Sequence, residues 1–362
     1  MRSHLLWALA LFASLGAALP SPPAKPNRWS EIPRLVLYYQ TTHDSLGRPI
    51  SMLPLITEKH IALTHLIVCS FHINRYANLT LNDYPPSYPL FTVLWVETQL
   101  LRAAGVKVMG MIGGAAPGSF DAYTLDGPDA VFEPYYLQLR DAIALYGLEG
   151  MDLDVEQYMS LAGITRLIRR LRADFGPGFI ITLAPVASAL WGGGNLSGFS
   201  YPELEVTLGG EIAFYNAQFY NGFGWLGSTT YYDAAVSYGW RPSRLVAGQL
   251  TTPENGNGWV THETLNATVA ALRDKYGQIG GVMGWEYFNG KPGGNEQPWQ
   301  WAQVMTAILR PGQLPRLRVT RSVAEGLIRA WHESVAPAVV AGAGGAGPEV
   351  VMNVDYLGMV NP

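Results

Sequence analysis

The stretch LEGMDLDVEQ, from Leu148 to Gln157, places carboxylates at Asp152, Asp154 and Glu156 with a single apolar residue between neighbours. Only 14% of the 362 residues are charged, against roughly 25% in an ordinary soluble chain, so three acids this close call for a chemical reason. On a strand, residues i, i+2 and i+4 share a face. The acids then point one way and Met151, Leu153 and Val155 the other. Like charges stacked on a poorly solvated face repel, so at neutral pH some of them hold protons or share hydrogen bonds. A carboxyl kept protonated near neutrality can act as a general acid toward a leaving group. Glu156, the last of the row, is the natural candidate. The other two readings are a divalent-metal cluster and a buried structural network. A metal site gathers its ligands from several loops, and no histidine lies close in sequence here, so no metal or other cofactor is expected.

The elements that must position this row recur along the chain. Runs rich in β-formers begin at Arg34 (RLVLYYQ), Thr64 (THLIVCSFHI), Gly105 (GVKVMGMI), Leu148 (LEGMDLDVE), Phe179 (FIITLAPV), Glu211 (EIAFYNAQFY), Arg244 (RLVAGQL) and Gly280 (GGVMGWEYF). Between them lie stretches such as PYYLQLRDAIALYG and SLAGITRLIRRLRADFG, whose apolar residues recur at three and four and whose ends carry glycine. Strands alternating with helices imply a parallel sheet, and eight such units predict an α/β fold, a single-domain (β/α)8 barrel of the TIM type. An open doubly wound sheet is the rival, but no G-x-G-x-x-G follows the first strand. In a barrel the three acids face inward on strand four, with Glu156 at the C-terminal end where such barrels hold their active sites.

The first 18 residues read as a secretory signal: Arg2 and His4, an apolar run from Leu5 to Leu15, then Gly16, Ala17 and Ala18. That run is too short to span a bilayer, which takes about 20 residues, so a secreted, extracellular protein is expected. A Pro-rich lead-in covers 19–33, the barrel domain 34–335, and an Ala/Gly-rich tail 336–362. An amphipathic helix from Ser322 to Val335 closes the domain. Cys69 is the sole cysteine and is expected to be a buried free thiol. Asn78, Asn195 and Asn266 head N-x-S/T sequons. A net charge of -4 leaves no basic footprint for nucleic acid or an anionic membrane. With 11 Trp and 19 Tyr, neutral ring-shaped ligands fit better.

The stretch from Glu149 to Glu156 resembles the D-G-x-D-x-D-x-E signature of glycoside hydrolase family 18, with Glu149 where the family usually has Asp. YNAQFYN, from Tyr215 to Asn221, resembles the family's sixth-strand Q-x-Y-N motif, and MIGGA, from Met111, its third-strand S-x-G-G motif with Met in place of Ser. Trp285 matches its eighth-strand Trp. LPLITEKHIALTHLIVCSFHIN, GVKVMGMIGGAAPGSF and AGQLTTPENG resemble the fungal endo-T-type endo-β-N-acetylglucosaminidases, a likeness running from about Arg34 through Val335.

The resemblance implies retaining hydrolysis assisted by the substrate's own 2-acetamido group, a known exception among glycosidases. It implies Glu156 as general acid and then base, Asp154 orienting the acetamide, Asp152 behind it, and Tyr220 donating to the acetamide oxygen. Gln218 and Asn221 would bind the acetamide or sugar hydroxyls, and Trp285 would floor the sugar, with Tyr38 lining the same pocket. Gly113 and Gly114 would let a loop turn close to the ligand. Tyr39, Trp191, Trp225 and Trp240 are either platforms or packing, and Glu286 is structural. The implied substrates are N-glycans of glycoproteins, of high-mannose type, or chitin oligosaccharides. An endo-β-N-acetylglucosaminidase leads, a chitinase is the alternative, and an inactive sugar-binding barrel comes third.

Overall fold

A computed structural model describes residues 32–313 and, beyond them, 315, 318–320, 322–326 and 328–329. The expected signal, almost all of the lead-in and the C-terminal tail lie outside the described residues. Eight parallel strands form a closed ring: β1 (Arg34–Tyr39), β2 (His65–His72), β4 (Lys107–Gly113), β5 (Gly150–Asp154), β6 (Ile180–Leu183), β7 (Phe214–Gln218), β8 (Leu245–Leu250) and β9 (Gly281–Trp285). β1 pairs with both β2 and β9, which closes the barrel. Each of the eight sequence runs supplies one of these strands. A two-residue strand, β3 (Thr80–Leu81), pairs antiparallel with the end of β2 and had no periodic signal to announce it.

Among the described residues seven helices connect the strands, α1 (Pro54–Thr57), α2 (Thr92–Ala103), α3 (Asp129–Tyr146), α4 (Leu161–Phe175), α5 (Tyr201–Leu208), α6 (Thr230–Ser237) and α7 (His262–Tyr276), and an eighth, α8 (Trp299–Leu309), follows β9. α4 shows why its sequence folds this way. The Ser160 side chain accepts the Gly163 N–H as N-cap, Ile164, Leu167, Ile168 and Leu171 bury one stripe, and Gly176 ends the helix with φ 71. α3 starts a turn earlier than its periodicity suggests, so Pro134 falls inside it. The apolar positions of the strands that face outward, among them Leu37, Val68, Ile112, Leu153, Leu183 and Ala247, join one core with the helices. Past α8, helical backbone at 322–326 and 328–329 buries Ala324 and Ile328.

Candidate active site

Alternation along β5 turns Asp152 and Asp154 into the barrel, and Glu156 follows two residues past the strand, half-buried at the open end. Asp152 is deepest. Its Oδ2 accepts the Tyr38 hydroxyl at 2.6 Å from β1, and its Oδ1 accepts Thr182 Oγ1 at 2.5 Å from β6 and Asn216 Nδ2 at 3.1 Å from β7. Burial raises its pKa, and the three donors pull it back. Asp154 has one donor, Gln218 Nε2 at 3.1 Å. Burial, then the charges of Glu156 and Asp152, push Asp154 well above the usual carboxylate range. Of two buried aspartates, the one with fewer donors therefore holds its proton more firmly.

Gln218 also donates to Glu156 Oε1 at 3.0 Å and to the Ala184 carbonyl at 3.0 Å. Its two amide hydrogens thus face three acceptors. Expected against the sugar, this amide nitrogen also reaches both carboxylates. Tyr220, two residues further along, is buried, and burial together with Asp154, Glu156 and Asp152 holds its pKa far above the phenol's ordinary value. Its hydroxyl is a neutral donor with no hydrogen-bond partner among the described residues.

Trp285 ends β9 half-buried, its ring centroid 5.5 Å from that of Tyr38 and tilted by 59°. Tyr38 is buried, donates to Asp152 and sets its ring against Trp285. The peptides Trp285–Glu286 and Cys69–Ser70 are cis. Glu286 is structural, as expected: its carboxylate accepts the N–H groups of Gln40 and Thr41 and the Thr41 hydroxyl. Gly113 and Gly114 have φ 102 and 87, and a side chain on Gly113 would strike the Asp154 carbonyl and Phe120. They let β4 end hard against Asp154, whose carbonyl accepts the Gly114 N–H at 2.9 Å. Asn221 sits exposed with φ 55, and its side-chain oxygen accepts the Asn257 N–H at 2.9 Å, which latches a neighbouring loop. Cys69 is a buried free thiol.

The segment bearing Glu156 is held from two sides. Gln157 Oε1 accepts the Gly118 N–H at 2.7 Å, and Asp126 accepts both the N–H and the hydroxyl of Ser160. On the other side, Ser197 donates its hydroxyl to the Val155 carbonyl at 2.6 Å and its carbonyl accepts the Met159 N–H at 2.9 Å. Sequence reasoning missed Thr182 and Asn216, although both share the inward alternation that marks Ala184 and Gln218. Tyr39 and Trp240 are core, Trp191 is half-buried beside Tyr231, and Trp225 is exposed. Among the described residues no three of His, Cys, Asp and Glu are arranged to hold a metal ion.

No family profile matches the chain. Its fold superposes on a fungal endo-β-N-acetylglucosaminidase from glycosyl hydrolase family 18 with a TM-score of 0.77 and 65% identity, over 78% of this chain and all of the other. The chain belongs to glycosyl hydrolase family 18. A chitinase from Aspergillus fumigatus matches at 48% identity and TM-score 0.69, over 75% of this chain and 98% of that one. Chitinase 2 of Rhizopus oligosporus is 29% identical over 203 residues, half of this chain but only 34% of that protein. A Streptomyces coelicolor structure at 18% identity and TM-score 0.60 shares the fold. As a family 18 hydrolase, the chain acts on a glycan.

Proposed function

We propose that the chain is an endo-β-N-acetylglucosaminidase that hydrolyses the GlcNAc-β1,4-GlcNAc bond in the chitobiose core of N-glycans, leaving one sugar on the protein. The observation that carries this is 65% identity to such a fungal enzyme over that enzyme's whole length. The chemistry follows from the row of acids. Glu156, the most accessible, protonates the glycosidic oxygen as the acetamide carbonyl oxygen attacks C1, so the leaving sugar departs with the proton and an oxazolinium forms. The Tyr220 hydroxyl donates to that attacking oxygen, and Asp154 accepts from the acetamide N–H through its unprotonated oxygen, which orients the acetamide for attack. Asp152, with its three donors, fixes Asp154 from behind. Glu156, now a carboxylate, takes a proton from water as the water opens the oxazolinium at C1, which retains configuration and restores the acid. Trp285 floors the sugar. No step calls for a metal or other cofactor.

High-mannose glycans are the substrates we favour, and the leader-like 1–18 together with the sequons supports a secreted enzyme. The chitinase reading stands second because the Aspergillus fumigatus chitinase shares 48% identity. Intact-mass spectrometry of a high-mannose glycoprotein, with chitin tetramer in parallel, separates the readings. Loss of the glycan less one N-acetylglucosamine, abolished in Glu156→Gln, is the expected result. Cleavage of the tetramer alone makes the chain a chitinase, and no cleavage of either leaves a sugar-binding barrel.

A further inference from the structure

Away from the row of carboxylates, a cleft of about 430 Å3 opens between the segment after β2 and helix α3, its lining including Tyr76, Asn78, Tyr123, Val131, Tyr135 and Gln138. The reaction described above uses none of it. A reverse turn from Asn74 to Ala77, closed by the Ala77 N–H to the Asn74 carbonyl at 3.0 Å, carries Tyr76 at φ 60, a region uncommon for bulky residues. α3 holds that turn on both sides of Asn78: the Tyr135 hydroxyl accepts the Tyr76 N–H at 2.9 Å, and Gln138 Oε1 accepts the Leu79 N–H at 2.8 Å. The Tyr76 residue is left 84% exposed and Tyr123 55% exposed. The Arg75 guanidinium lies 3.6 Å over the Tyr123 ring and 4.7 Å over the Tyr76 ring, and donates to the Tyr76 hydroxyl at 2.9 Å, which orients both. An exposed aromatic held in a disfavoured conformation points to use rather than packing.

The three sequons differ in a way that bears on this cleft. Asn195 Nδ2 already donates to the Phe199 carbonyl at 2.7 Å, and the Ser197 hydroxyl is buried against Val155 and Tyr201. Asn266 stands on the exposed side of α7 with no aromatic residue within two positions in sequence. Asn78 alone of the three combines a side-chain amide with no protein partner among the described residues and an aromatic ring two positions earlier in the same cleft.

We infer that Asn78 carries an N-linked glycan whose first N-acetylglucosamine lies in this cleft, its apolar C–H face on the Tyr76 ring. A secretory host supplies the donor, a lipid-diphosphate oligosaccharide: Asn78 Nδ2 bonds to C1 of the first sugar, the lipid diphosphate leaves, and the amide gives up one proton. Sugar faces and tyrosine rings are complementary surfaces, apolar in the middle and polar at the edge. The site stands on geometry alone and holds whichever glycan the enzyme cuts. The cut proposed above falls beyond this first sugar, so trimming leaves the seated residue in place.

The test is to secrete the full chain from yeast, map its glycopeptides, and compare melting temperatures of wild type, Asn78→Gln, Tyr76→Ala and the double variant. The expected results are an occupied Asn78 and a fall of roughly 2 °C in Asn78→Gln, with Tyr76→Ala adding nothing once the glycan is gone. Hydrogen exchange at 75–79 should quicken in Asn78→Gln, a readout that survives if Tyr76→Ala fails to fold. A bare Asn78, additive losses, or unchanged exchange would overturn the assignment. Binding of free chitotetraose by Asn78→Gln that is lost in Tyr123→Ala would also overturn it, making the cleft a seat for soluble glycan.

Discussion

Asp154 is buried among like charges with a single donor, and that couples its chemistry to stability. Its folded pKa lies above the unfolded one, so the fold carries a penalty that is absent at acid pH and grows as pH rises from about 4 through the folded pKa. Asp154→Asn is therefore expected to melt higher than wild type at pH 8, with the gain shrinking toward pH 4, while activity is lost. Calorimetry across that range checks it, and a gain that grows toward acid would refute the assigned proton. Glu156→Gln should lower kcat by about 10² to 10⁴ with little change in KM, since it removes only proton transfer. Tyr220→Phe should cost about 10² in kcat, the scale of one donor at developing charge; steady-state kinetics on a defined glycan reads both. The acids were legible because alternation on a strand is a local rule. Thr182 and Asn216 were not, because their meaning depends on which strands end up adjacent. Gln218 shows the same limit: its place was readable and its partners were not.

At the scale of elements, every barrel strand was visible as a run of β-formers, whereas the loops that hold Glu156 were silent. Their bonds join residues about 40 apart, Val155 with Ser197 and Gly118 with Gln157, and no periodicity encodes such pairs. Ser197→Ala removes the buried hydroxyl that satisfies the Val155 carbonyl and meets Tyr201. A loss of about 1–3 kcal/mol is expected, which is a fall of several degrees in melting temperature, with kcat reduced as the Glu156 segment loosens. A thermal melt indistinguishable from wild type would show that this clasp holds nothing. α3 adds a smaller lesson: Pro134 ends a helix in a reading by propensity, yet here the helix begins a turn before it because the flanking apolar face still packs.

Across the whole molecule, the two ends of the barrel interior titrate in opposite senses. At the end away from Glu156, His65 is buried near Arg34 and Lys107 with its ring centroid 5.1 Å from that of Phe214, and burial pushes its pKa down to about 3. The unfolded imidazole binds a proton from about pH 6.5 downward while the folded one does not, so stability drains as pH falls between 6.5 and 3. His65→Phe should flatten that slope, and urea melts at pH 7, 5.5 and 4 would show it; parallel slopes would mean His65 is not the cause. Closure of the ring also has a consequence in time. β1 is the first of the eight ring strands to leave the ribosome, and one of its two neighbours, β9, follows about 240 residues later, an interval of roughly 10 to 50 s at cellular elongation rates. Through that wait the fully buried RLVLYY edge has no partner on one side, so synthesis, more than the finished fold, is when this chain is most open to aggregation and most dependent on chaperones.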